Sequence, residues 1–126
     1  MRTLRPLKNK RKSGIHKMKV SELIKKLNLD VITSKDYEDR EVKGCYIGDL
    51  LSHVMGKATC GDAWITIMNN INIVAVASLT EAACVILCEG IGADEKIIEK
   101  ADGEGIVILK SEQTAYQLAA AISELL

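Results

Sequence analysis

The sequence predicts a single α/β domain: a mainly parallel sheet with flanking helices, in the order αββα followed by βαβαβα. Three observations carry that reading. Residues 64–92 hold only two charges, Glu81 and Glu89, so a stretch this apolar must be buried on most sides. Within it the runs Trp64-Ile-Thr-Ile-Met and Ala83-Cys-Val-Ile-Leu-Cys are of strand length, while Ile73 to Leu79 suits a short buried helix. Two short strands joined by a helical crossover should lie parallel, because parallel neighbours need a connection of about a dozen residues or more.

The remaining elements follow in order. Val20, Leu23, Ile24 and Leu27 recur at helical spacing, with Glu22 early and Lys25-Lys26 late, as the helix dipole favours. Leu29 to Thr33 is a β-branched run and reads as a strand, followed by a polar loop over Ser34 to Asp39. Val42 to Ile47 reads as a second strand, interrupted at Gly44 where a missing Cβ permits a bulge or a close backbone approach. Gly48-Asp49 is expected to open a helix with Leu50, Leu51, Val54 and Met55 on its apolar side and Gly56 at its end. Gly61-Asp62 is a turn into the central unit. Beyond that unit, Asp94 is expected to cap a helix using Ile97, Ile98 and Ala101, with Gly103 just past its end. Ile106 to Leu109 is a short buried strand. Ser111 is expected to cap the last helix, on which Ala115, Leu118, Ala119, Ile122 and Leu126 share one face.

Length and composition bound the possibilities. The chain has 126 residues, enough for one domain with a real core and too few for two of ordinary size. Hydrophobic residues make up 48% and Phe is absent, so the core must be aliphatic. No apolar run reaches the roughly 18 residues of a membrane span, and no leader with a cleavage site is evident. The default expectation is a cytoplasmic protein. Cys45, Cys60, Cys84 and Cys88 show no paired spacing and are read as reduced thiols, the last two as core residues.

The formal net charge of zero conceals a split. Residues 1–19 hold eight Lys or Arg and no acid; the other nine face all seventeen acids, leaving the body at −8. The basic arm, residues 1–17, has three readings: a tail for nucleic acid or an anionic surface, a disordered leader, or an extension upstream of a start at Met18. Nucleic-acid binding is disfavoured, since the arm lacks interleaved aromatics and the body is acidic.

Ligands of open parallel sheets bind beyond the carboxyl ends of the strands, where helix N-termini present free N–H groups. Three loops meet that description here: Asn69 to Asn72, Glu89 to Asp94, and Lys110 to Gln113. Their candidate contacts are Asn70, Asn72, Gly90, Gly92 and Ser111, although the same residues serve equally as turn and cap chemistry. Gly90-x-Gly92 lacks a third glycine, and no phosphate-binding P-loop occurs. His53 has no neighbour that spacing would place beside it as a nucleophile–base pair. Trp64 is expected in the core, with its ring N–H on a loop carbonyl.

The spaced motifs Asp39-Arg40-x-x-x-Gly44, Gly48-Asp49-Leu50-Leu51, Val54-Met55-Gly56, Gly61-Asp62-x-Trp64 and Asn72-Ile-Val-Ala-Val-Ala77 resemble the DRTGG domain family over residues 18–126. Within that resemblance Asp39, Arg40 and Gly44 match the motif, while Lys43 stands where Thr is typical and Cys45 where the second Gly is typical. The resemblance implies an accessory module of the kind found in HPr kinase/phosphorylase-like proteins, some phosphotransacetylases and CBS-domain pyrophosphatases. There it serves dimerisation or regulation and carries no catalytic residues. Asp39 and Arg40 themselves read either as an ion pair pinning the loop or as an arginine offered to an anion.

Two functional expectations follow. One is a non-catalytic regulatory or interaction module, homodimeric, acting on a partner enzyme of kinase, redox or acetyltransferase type. The other is a sensor of a nucleotide or phosphorylated metabolite at the carboxyl-end loops. Neither expectation calls for a cofactor or a metal.

Overall fold

A computed structural model describes residues 16–126; the readings of the basic arm up to residue 15 lie outside the described residues. The elements are α1 (Val20–Leu27), β1 (Asp30–Val31), β2 (Gly44–Ile47), α2 (Leu51–Lys57), β3 (Asp62–Thr66), α3 (Asn72–Thr80), β4 (Cys84–Leu87), α4 (Glu95–Gly103), β5 (Ile108–Lys110) and α5 (Ala115–Leu125). Their order is the one the sequence predicts.

The five strands form one sheet in the order β1-β5-β4-β3-β2. β2, β3, β4 and β5 run parallel, and β1 pairs antiparallel with β5. Because side chains alternate along a strand, the central strands feed two apolar layers. Ala63, Ile65, Cys84, Ile86, Val107 and Leu109 point to the side covered by α1 and α5, where Leu23, Leu118 and Ile122 are fully buried. Trp64, Val85, Leu87 and Ile108 point to the other side, against Val54 of α2, Ile73 and Val76 of α3, and Ile97 of α4. The crossovers between β2, β3, β4 and β5 thus place α2, α3 and α4 on one face. The result is a three-layer α/β/α sandwich. The Trp64 indole donates to Gly48 O at 2.9 Å, as its burial requires.

Several local expectations need correction. The first strand is shortened to Asp30–Val31; beyond it, Ile32 N still donates to Ile108 O and Ile108 N to Thr33 Oγ1. Val42 lies outside β2, and its N–H goes to Met18 O beside a Lys19–Glu41 bridge. α2 starts at Leu51 and contains Gly56, and Leu50 and Met55 are 70% and 46% exposed. Asp49 does not cap α2: its carboxylate accepts from Thr66 Oγ1 and Ile67 N at the end of β3. α3 is buried on one side only, with Leu79 70% exposed.

The cap of α5 is Thr114, in a reciprocal box with Gln117, while Ser111 instead accepts Gln113 N within the preceding turn. At the end of α4 the left-handed position belongs to Gly105 (φ +71), and Gly103 is still helical. Asp94 does cap α4, accepting Ile97 N at 3.0 Å. No helix among the described residues is long and apolar enough to cross a membrane.

Candidate functional site

The residues singled out from the sequence divide between opposite edges of the sheet. Asn70, Asn72, Gly90, Gly92 and Ser111 do gather at the carboxyl edge of β3, β4 and β5. Asp39, Arg40 and Gly44 lie at the amino edge.

At the carboxyl edge, the chain leaves β4 toward α4 on one face and leaves β5 toward α5 on the other. That divergence is the topological feature that opens a crevice in α/β sheets. Here it is stitched by backbone hydrogen bonds: Glu89 N donates to Gln113 O at 2.8 Å and Gly90 N to Ser111 O at 2.9 Å. Asn69, which the sequence reading left out of the contact set, ties the β3 and β4 loops by donating to Gly92 O at 2.8 Å. Asn70 accepts Asn72 N at 2.8 Å, satisfying an N–H in the first turn of α3. Several of the groups expected to face a ligand are therefore already hydrogen-bonded within these loops, while the Asn72 side chain is exposed. Gly90 has φ +74, and a Cβ there would lie 2.7 Å from Glu112 Oε1, so a carboxylate stands over this loop. Gly92, in contrast, faces open space.

The amino edge is concave. An open groove of about 620 Å³ is lined by Lys19, Arg40 and Lys43 among its cations, by Glu38, Asp39, Glu41, Glu81 and Glu104 among its anions, and by Cys60, Gly61 and Ser78. Asp39 does not pair with Arg40. It accepts from Ser21 N at 2.8 Å and Ser21 Oγ at 2.6 Å, so it caps the first turn of α1 from a distant loop. Arg40 is held by Glu38 at 3.3 Å and donates to Ala82 O at 3.2 Å. A bidentate clamp for an anion would require that fork to be released.

Gly44 is required by packing. A Cβ would sit 2.8 Å from Asp62 Oδ1, and Asp62 is buried with its other oxygen accepting Thr59 N and Oγ1. Its neighbour Cys45 occupies the position of the family's second glycine; burial, with the Asp62 charge adding, pushes this thiol up to about 11. Burial likewise raises Cys84 to about 12, with Cys45 as the secondary cause. These thiols stay protonated at neutral pH and are not activated nucleophiles. Among the described residues no group of His, Cys, Asp or Glu is arranged to hold a metal ion.

A five-stranded, mostly parallel sheet between two helical layers, with the Asp39-Arg40 loop capping the first helix, defines a small three-layer α/β domain. The chain belongs to the DRTGG domain family, whose model matches residues 22–125. Its structure is similar to the CBS and DRTGG domains of the regulatory region of Clostridium perfringens pyrophosphatase complexed with an activator, diadenosine tetraphosphate. The TM-score is 0.65 and the identity 14%, over 85% of this chain. That similarity covers 46% of the pyrophosphatase chain, so this protein spans about half of it. No curated protein sequence matches.

Proposed function

We propose that this chain is a non-catalytic regulatory module that works as a homodimer on a partner enzyme in the cytoplasm, of kinase, redox or acetyltransferase type. The observation that carries the reading is its membership of the DRTGG family together with its likeness to an enzyme's regulatory region. Burial keeps the Cys45 and Cys84 thiols protonated at neutral pH, which agrees with it. Affinity capture with the intact chain, followed by activity assays of the captured enzyme with and without it, tests the reading. An enzyme whose rate is the same in both conditions would overturn it.

A second reading is favoured by the groove: a sensor of a nucleotide or phosphorylated metabolite. The related regulatory region was captured with a nucleotide activator, and Lys19, Arg40 and Lys43 face the groove here. A thermal-shift panel of nucleotides and phosphometabolites tests it, since a ligand at 100 times its Kd stabilises by about 2.7 kcal/mol. The shift is expected to vanish in Lys43→Ala and survive in Gly92→Val; the opposite pattern would move the ligand to the carboxyl edge. A panel without any shift would remove this reading.

A further inference from the structure

The two edges of the sheet are protected very differently. β1 is two residues long, antiparallel, and begins with the exposed Asp30, a typical blunted edge. β2 is four residues, parallel to β3 on one side and, among the described residues, without a strand on the other. Its sequence, Gly44-Cys45-Tyr46-Ile47, has no charge, no Pro and no Lys to discourage pairing.

Exposed apolar side chains collect at the carboxyl end of this strand. Ile47 is 48% exposed, Leu50 70% and Ile67 46%. They belong together because the Asp49 carboxylate, between Ile47 and Leu50 in sequence, accepts from Ile67 N at 3.1 Å. An uncharged edge strand flanked by such residues is the kind of surface that another chain covers.

The occupant is identified by the charges at the two ends. Exposed Lys43 precedes β2 and exposed Asp49 follows it. In a second copy lying antiparallel across a two-fold near Tyr46, each Lys43 end meets the Asp49 end of the other, and Ile47 lies across from Cys45. A parallel approach would set like charges against like. We propose that β2 is the homodimerisation edge, joining two five-stranded sheets antiparallel through residues 44–47, with the Lys43 and Asp49 ends in opposition. The inference rests on the homodimeric part of the proposed function and names its surface. It is an isologous contact, in which one patch serves both copies.

Sedimentation of the full chain across micromolar concentrations tests the proposal, with Ile47→Lys, Lys43→Glu and Leu79→Lys as variants. Ile47→Lys should be monomeric while still melting cooperatively. Lys43→Glu, a substitution at an exposed position, should weaken the dimer by about tenfold or more, because it sets like charges at both ends. Leu79→Lys, exposed on α3, should leave the dimer intact. A monomeric wild type would overturn both this surface and the dimeric part of the proposed function. A dimer indifferent to Ile47→Lys and Lys43→Glu would overturn the surface alone.

Discussion

Asp39 shows what a motif residue does here. Both of its carboxylate contacts go to Ser21, across eighteen residues of sequence, and they satisfy an N–H in the first turn of α1 that the helix cannot satisfy itself. Its neighbour Arg40 turns the other way, to Glu38 and Ala82 O. Replacing Asp39 by Ala should therefore cost about 1–2 kcal/mol, the usual loss of a helix cap. Urea denaturation would measure it, with Asp39→Asn recovering part of the loss. A variant as stable as the parent would mean that α1 is held by its apolar face alone. The sequence placed Asp39 at the end of a polar loop, but β2 begins only at Gly44, and nothing in the sequence signals that Ser21 is the partner. Such a long-range contact leaves no periodicity to read. Gly44 was legible as a special position in the strand, but it pairs in regular register without a bulge, and the buried Asp62 side chain that a Cβ would meet was not legible.

At the scale of elements, hydrophobic period was the dependable signal and end chemistry the weaker one. The burial of Leu118 and Ile122 on α5, and of Ile97 and Ala101 on α4, follows the spacing of their apolar residues. The cap of α5 was also written in the sequence, as Thr114-x-x-Gln117, a capping-box pattern three residues beyond Ser111. α2 misled because its apolar residues suggest a buried face, yet Val54 is the one fully enclosed. For α3, apolar composition suggested burial all round, whereas only Ile73, Val74, Val76 and Ala77 are buried. Val76→Asp should still unfold the domain, because a carboxylate at a site 4% exposed would have no partner, a cost of several kcal/mol. Circular dichroism melting checks this. A soluble Val76→Asp variant with a cooperative melt would show that the layer between α3 and the sheet can open to water.

At the scale of the whole molecule, the buried thiols give the fold a pH dependence of definite sign. Burial raises Cys45 to about 11 and Cys84 to about 12 from the ordinary thiol value of 9.0, and it raises Cys88 as well. Cys45, Ala63 and Cys84 are in register across β2, β3 and β4, so the first two thiols share one apolar layer. In the unfolded chain these thiols ionise near their ordinary value, while in the folded chain they hold their protons longer. Between about pH 9 and pH 11–12 the unfolded state therefore binds fewer protons than the folded state, and stability must fall as pH rises through that window. Below the unfolded value the contribution is fully present. Urea midpoints measured at intervals from pH 8 to pH 11 should decline, with Tyr37, also raised by burial, adding in the same direction. Cys84→Ala should flatten the decline while lowering stability at pH 8, since a small void replaces the sulfur. At pH 8 a thiol reagent should label the exposed Cys60 first, and the buried Cys84 and Cys88 only as the fold opens. A slope unchanged in Cys84→Ala, with Cys84 labelled as fast as Cys60, would mean that the sheet interior between β2 and β4 is accessible to water and that the thiols are not held in an apolar layer.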